Sequence, residues 1–183
     1  MNRCKWANPK NLLYLAYHDT EWGVTGKSEH ELYELFILET FQAGLSWECV
    51  LNKRAAFREA YDFFDIDTVC NYGEEKINAL LENPALIRNR LKILSSVQNS
   101  RIFRKIQKEF GSFGAYIESF TGKTPIFEPY TLRSSSPLSD AISKDLKKRG
   151  MKFAGTTIVY SFLQAAGYLQ AHGPECCRYM PNP

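Results

Sequence analysis

The sequence predicts an all-α protein, and three observations carry that prediction. Apolar residues recur at three- and four-residue spacing along most of the chain, as one buried helix face requires. Capping signals stand where these patterns begin. No alternating apolar–polar run is long enough for a strand, and no internal repeat is evident.

Asn11 to about Thr20 reads as a short helix, with Tyr14 and His18 on one face and Tyr17 beside them. Trp22-Gly23 ends it. Ser28-Glu29-His30-Glu31 is a capping box, in which hydroxyl and carboxylate each satisfy the other residue's amide. Leu32, Leu35, Phe36 and Leu38 then form a core-facing stripe, and the helix runs to about Leu38. Gly44 marks a turn and Ser46 caps the next helix, expected to continue to about Tyr61 through Val50, Leu51 and Phe57. Phe64 to Asp67 looks like the start of a short helix, and Gly73 to Leu81 like another. Leu86 to Lys108 is the longest pattern. Its expected inward residues are Ile87, Leu91, Leu94, Val97, Ile102 and Ile106, with Arg88, Arg90, Lys92, Arg101, Arg104 and Lys105 outward. Gly111 to Phe120 adds one more helix. Thr121 to Pro137 reads as a loop, because Pro129 and Pro137 exclude regular helix. Ser139 is expected to cap a helix over Asp140 to Arg149. A last, largely buried helix runs from Gly155 or Thr156 to Ala171.

Composition bounds the function. The chain has 183 residues, 44% hydrophobic and 23% charged, which fits one ordinary globular domain over 1–183. No run of ~18 apolar residues is present, and the N-terminus lacks the apolar core of a signal peptide, so a cytoplasmic protein without a membrane role is expected. The net charge of +3 is a weak pointer to nucleic acid. Five cysteines, an odd number, argue against a disulfide framework.

Three constellations could carry chemistry. Cys4 and His18 near one terminus, with His172 and Cys176 near the other, form a Cys2His2 set suited to a closed structural zinc site; ordinary buried cysteines and histidines are the competing reading. Leu146 to Thr157 ends one helix, turns through glycine and starts another. Lys147, Lys148, Arg149 and Lys152, with the free amides at Gly155 and Thr156, suit DNA phosphates. A solvated helix end with dipole-compensating cations explains the same residues. Finally, Trp6, Tyr14, Tyr17, Trp22, Phe41 and Trp47 crowd the first quarter of the chain around Glu39. Such clusters are commonly core, but aromatic rings beside a lone carboxylate also suit a flat cationic ligand.

The chain resembles the bacterial 3-methyladenine DNA glycosylase I family, within the helix-hairpin-helix glycosylases. The matching segments are Arg3-Cys4, Tyr14 with Tyr17-His18-Asp19, Glu21-Trp22-Gly23, Glu39 with Gln42 to Trp47, Leu146 to Thr157, Tyr160-Ser161-Phe162, and His172 with Cys176. The resemblance implies a helix-hairpin-helix glycosylase fold, the hairpin lying at about 139–171. It also implies one structural Zn2+ on Cys4, His18, His172 and Cys176, which ties segment 4–18 to 172–176. It places Glu39 on the carboxylate that hydrogen-bonds the excised base, and Tyr14, Tyr17, Trp22 and Trp47 around that base. Ser161 falls near the lesion, Leu45 on an apolar plug that enters the duplex, and Gly44-Leu45 where the turn meets that duplex. The chain departs from some relatives at Thr40-Phe41, expected at the pocket rim.

The implied activity is monofunctional base excision: a monomer acting on double-stranded alkylated DNA releases free 3-methyladenine and leaves an abasic site. The residues add a clue. No Asp follows Asp145, so the aspartate that other helix-hairpin-helix glycosylases place beyond the hairpin is missing. That favours a base already primed to leave. A noncatalytic lesion sensor and a zinc-stabilised interaction protein are the alternatives, separable by base release and by salt-dependent DNA retention.

Overall fold

The computed structural model describes residues 2–127 and 133–180. Ten α-helices account for most of them, so the helical expectation holds with one addition. Helix α1 (Leu12–Thr20) starts at Asn11, whose side chain accepts from the Leu13 and Tyr14 amides. Helix α2 (Glu29–Gln42) starts at the expected Ser28–Glu31 capping box but runs past Leu38 to Gln42. Every residue from Leu32 to Phe41 is buried, so it is covered on all sides, and the stripe seen in the sequence was only part of its contact surface. Glu39 therefore lies inside a helix rather than at a turn.

The expected single helix over Ser46 to Tyr61 is two, α3 (Trp47–Leu51) and α4 (Arg54–Ala60). The break falls at Asn52-Lys53, where no apolar side chain binds the segment to the core and Lys53 Nζ instead donates to the Ala85 carbonyl (2.9 Å). A 3-10 turn (Asp62–Phe64) follows, then α5 (Ile66–Cys70), capped by Asp65, and α6 (Glu74–Glu82).

Helix α7 (Arg90–Phe110) starts later than expected, at Asn89, whose side chain caps it. Its register also differs. Leu91 and Leu94 are exposed, whereas Lys92, expected outward, is only 7% exposed. The face is set by where α2 and the backbone at Gly150 and Lys152 lie, which the apolar spacing did not encode. Helix α8 (Phe113–Thr121) is as expected.

The segment read as a loop holds strand β1 (Ile126–Phe127), which pairs in parallel with β2 (Leu169–Gln170). Two residues each are too few to leave an alternating signature, and this pair corrects the all-α expectation. Pro129 and the rest of 128–132 lie outside the described residues. Pro137 does not exclude helix; it opens α9 (Pro137–Lys148), where its missing amide costs nothing. The N-cap is Ser136, and Ser139 is its capping-box partner. Helix α10 (Thr156–Ala165) ends six residues before Ala171, in a Schellman turn with Gly167 N bonded to Gln164 O (3.1 Å) and Tyr168 N to Leu163 O (2.9 Å). The chain then enters β2.

Helix α2 is the axis of this arrangement. It packs on α7, α10, α3 and α8, while α10 also packs on α9. The α2 residues from Leu32 to Phe41 are accordingly all buried.

Candidate active site

Helix α2 aims Glu39 and Gln42, one turn apart, into a cavity of about 150 Å³. Trp6, Tyr14, Tyr17, Trp22, Trp47, Ser161 and Gln164 complete the lining. Helix α1 supplies the tyrosines, α3 supplies Trp47, and α10 supplies Ser161 and Gln164. The rings brace one another: Trp6 lies 5.2 Å from Tyr14 and 4.9 Å from Trp22, and Tyr17 lies 5.4 Å from Trp47, centroid to centroid. All six sequence-predicted base-pocket residues thus meet around one space.

The decisive feature of this space is its unmet polarity. Among the described residues, four buried side-chain polar atoms lack a hydrogen-bond partner: Tyr17 Oη, Glu39 Oε2, Gln42 Oε1 and Trp47 Nε1. All four belong to residues lining this cavity. An orphaned buried polar atom typically costs about 1–3 kcal/mol, so four around one void describe a site completed by something polar. Burial alone lifts the Glu39 carboxyl well above the usual carboxylate range. Burial first, then Glu39 and other charges, also lifts the Tyr17 hydroxyl. The Tyr14 hydroxyl is pushed up to about 12, by burial and then by Glu48 and Glu39. Among the described residues, no cationic side chain is paired with Glu39, whose shift has burial as its cause. A flat ligand bearing both hydrogen-bonding groups and positive charge would satisfy these atoms together.

Thr40 and Phe41 are not at the rim. Thr40 Oγ1 donates to the Ile37 carbonyl (2.7 Å), and Phe41 packs on Phe57 with centroids 4.8 Å apart. Both are buried, and neither lines the cavity. Phe41 thus separates from the aromatic group in which the sequence placed it.

Cys4, His18, His172 and Cys176 converge behind one wall of the pocket. Their ligand atoms lie within 4.8 Å of one another and all four residues are buried, a set that could hold a metal ion. Cys176 Sγ lies 3.3 Å from His18 Nε2 and 3.4 Å from His172 Nδ1, and Cys4 Sγ lies 3.5 Å from His172 Nδ1. The outer nitrogens are anchored: His18 Nδ1 meets Asp19 Oδ1 at 2.8 Å, and His172 bonds the Trp22 backbone. Arg3 and then His18 hold Asp19 far below the usual carboxylate range. The Gly173 amide donates to Cys4 and the Arg178 amide to Cys176 Sγ (3.4 Å). Without a cation, burial pushes the Cys4 thiol up to about 12 and His172 down to about 4, the latter helped by His18. The Trp22 ring stands edge-on to His172 at 4.6 Å, so the cluster supports a pocket wall.

The two turns expected to face a duplex are also ordered. Gln42 to Leu45 forms a type II turn, with Ala43 at φ −48°, ψ 114° and Leu45 N bonded to Gln42 O at 2.6 Å. Gly44 has φ 76°, which that turn position demands. Leu45 is 41% exposed at its end. The second turn joins α9 to α10. Gly150 N bonds Lys147 O (2.9 Å) and Met151 N bonds Leu146 O (3.0 Å), a Schellman motif with Gly150 at φ 100°. Lys147, Lys148 and Lys152 are exposed. Gly155 offers α10 no side-chain cap, and Thr156 Oγ1 is paired with Ser139 Oγ (2.7 Å). Arg149 is committed elsewhere: Nε donates to Asp145 (2.6 Å) and the terminal nitrogens to Glu109 (2.6 and 3.0 Å).

The methyladenine glycosylase family profile matches residues 6–179. The chain belongs to that family. It is 41% identical to DNA-3-methyladenine glycosylase 1 of Escherichia coli (strain K12), over 100% of this chain and 99% of the relative. A crystal structure of a 3-methyladenine DNA glycosylase I superposes with a TM-score of 0.92 at 40% identity, covering 98% and 100% of the two chains. A Staphylococcus aureus structure showing 3-methyladenine recognition by the same type of enzyme superposes at 0.92 and 33% identity, covering 100% and 99%.

The family resemblance named six of the nine residues that line this cavity, but not Trp6, Gln42 or Gln164. Trp6 stood in the aromatic group, and Gln42 stood in the quoted motif three residues after Glu39. Helical spacing from Glu39 to Gln42, and from Ser161 to Gln164, was the signal that places both amides on the same face.

Proposed function

We propose that this methyladenine glycosylase family member removes 3-methyladenine from alkylated double-stranded DNA, hydrolysing the N-glycosidic bond and leaving an abasic site. The four unpartnered polar atoms around one aromatic cavity carry this reading. The whole chain acts as one monomeric domain, in the cytoplasm with the DNA. No helix among the described residues is long and apolar enough to cross a membrane.

The α9–α10 turn, a helix-hairpin-helix motif, grips backbone phosphates through Lys147, Lys148, Lys152 and the amides at Gly155 and Thr156. Arg149 shapes that turn through Asp145 and Glu109. The damaged nucleotide leaves the stack, at a cost of a few kcal/mol that damage lowers. Leu45, carried by Gly44, fills the gap. The flipped base enters among Tyr14, Tyr17, Trp22 and Trp47, with Ser161 beside it.

Glu39 selects by charge. In the free protein burial disfavours the Glu39 anion and raises its carboxyl above the usual carboxylate range. A base methylated at its minor-groove ring nitrogen is cationic and stabilises the carboxylate next to it. A neutral purine supplies no such charge. Water then attacks the anomeric carbon; the C–N electron pair leaves with the base and neutralises it, and the proton of water passes to solvent. Asp145, the last aspartate, is held by Tyr116 and Arg149, and Glu175 beyond it is exposed. Glu39 is thus the acid the site uses. No lysine Schiff base forms, so the strand stays intact.

The Cys2His2 cluster suits one structural zinc ion. Cys4, His18, His172 and Cys176 would hold it: two thiols and two imidazoles, all buried, bring their ligand atoms within 4.8 Å of one another, a donor set that suits zinc. Four protein donors leave no open position, and the anchored outer nitrogens are typical of structural sites. Cys176→Ala is expected to lose bound metal and thermal stability; unchanged metal content by elemental analysis overturns this assignment.

An excision assay tests the activity. Incubation with methylated duplex DNA should release free 3-methyladenine and leave alkali-labile sites without nicks. DNA retention without any released base identifies a lesion sensor instead.

A further inference from the structure

Lys92 is the one lysine of α7 that the fold buries, and it is buried against backbone. Its Nζ donates to the Phe41 carbonyl (2.8 Å) and the Ala43 carbonyl (2.6 Å). These are the open end of α2, which has no basic residue in its own last turn. A cation there satisfies orphan carbonyls and opposes the helix dipole. The type II turn that presents Leu45 begins at Gln42, between the two carbonyls.

The same helix holds the hairpin. Asn99, fully buried, donates to the Lys152 carbonyl (2.8 Å) and accepts from the Lys152 amide (2.9 Å). Gln98 donates to the Gly150 carbonyl (2.6 Å). Phe153 of the hairpin lies 5.9 Å from Lys92 Nζ, its ring under the ammonium. Helix α7 therefore spans both turns: residue 92 fixes one, and residues 98 and 99 fix the other.

We infer that Lys92 is a positioning residue for base flipping, setting the Leu45 turn at a fixed distance from the phosphate-gripping hairpin. This rests on the reading of Leu45 as the duplex plug. Excision needs the plug and the grip in register on one duplex, and a misplacement of about 1 Å can cost about 10²-fold. Binding of the free base needs only the pocket, which Lys92 does not line.

A double-mutant cycle tests it. Single-turnover excision from duplex DNA is measured for wild type, Lys92→Met, Leu45→Ala and the double variant, alongside affinity for free 3-methyladenine. Each single variant should lose about 10–10²-fold in excision, and the double should be no worse than the poorer single. Free-base affinity should stay within about twofold, a factor ordinary in variants that spare the contact. Losses that multiply in the double variant overturn the coupling, as does an equal loss of free-base affinity in Lys92→Met. Wild-type excision by Leu45→Ala overturns the plug reading and the coupling with it. If Lys92→Met does not fold, Lys92→Gln, whose amide can still donate to one carbonyl, replaces it in the cycle.

Discussion

Helix α2 buries two carboxylates to the same depth, Glu34 and Glu39, each 2% exposed. Glu34 Oε1 accepts from Arg54 Nε (2.5 Å) and Arg58 Nε (2.9 Å), and Arg54 also meets Glu21 (2.7 Å). Among the described residues, Glu39 Oε2 has no hydrogen-bond partner. Desolvating a carboxylate is costly unless charge or hydrogen bonds compensate. The fold completes that compensation for Glu34 and withholds it from Glu39. Buried tyrosines repeat the contrast. Tyr33 and Tyr61 hydroxyls meet Ser100 (2.6 Å) and Ser96 (3.0 Å), whereas the Tyr17 hydroxyl has no partner. A structural polar group is one the chain itself satisfies; a binding group is one left for a ligand.

The largest effect expected from this contrast is on chemistry. Glu39→Gln keeps the shape but cannot become an anion against a cationic base. Removing one electrostatic contact of this kind typically costs about 10²–10³-fold in rate. Single-turnover release of 3-methyladenine should fall by that factor, while salt-dependent DNA binding stays as in wild type. Wild-type excision by Glu39→Gln removes Glu39 from the role.

Glu34→Gln should do the reverse. It leaves Arg54, with a side chain only 12% exposed, short of one partner, while Glu21 still holds it. Arg58, 47% exposed, falls back on solvent. The expected cost is about 2 kcal/mol of stability, below the full penalty for a buried pair because of that residual pairing. Excision per folded molecule should stay near wild type. A selective loss of excision, at unchanged denaturation midpoint, would make both carboxylates functional and end the contrast.

Much of this was legible in the chain, and the unread parts share a cause. Capping boxes and local spacing revealed α1, α2, α6 and α8 because those signals lie within one or two turns. Cys4 with His172, and Glu39 with Trp47, were located by motif. What stayed hidden depends on partners far away in sequence. Lys92 reaches carbonyls 51 and 49 residues earlier, so helical spacing assigned it to solvent and turned Leu91 and Leu94 inward. The β1–β2 pair joins Ile126 to Leu169 through two residues per strand. Glu34 was invisible as an ion-pair acceptor because Arg54 and Arg58 arrive from α4, across a helix break that propensity did not mark.

Stability as a function of pH measures the carboxylate contrast directly. Glu39 has a raised folded value, so the folded state keeps its proton where the unfolded chain, near pKa ~4.3, has released it. Stability is full below about pH 4.3 and falls as pH rises toward the folded value, by at most about 1.4 kcal/mol per unit. Glu39→Gln lacks this contribution. Subtracting its denaturation profile from that of wild type between pH 5 and pH 8 should leave a negative slope for wild type. A zero or positive difference would mean that Glu39 finds a partner in solution.

The smallest effect is expected from the tyrosines. Tyr33→Phe orphans Ser100 Oγ as an acceptor of the hydroxyl at 2.6 Å, though that serine still donates to the Ser96 carbonyl (2.7 Å). A lost internal hydrogen bond costs about 1 kcal/mol. Tyr17→Phe removes a hydroxyl that has nothing to lose, so the free protein should stay within about 0.5 kcal/mol of wild type or gain slightly. The cost should emerge only with ligand present, as about two- to fivefold weaker binding of free 3-methyladenine, since the hydroxyl then loses a real partner. Urea denaturation of both variants, with and without the free base, separates the cases. Equal losses of stability in the free protein would show that the Tyr17 hydroxyl is satisfied by the chain or by water, and that burial without a partner is not what marks this pocket.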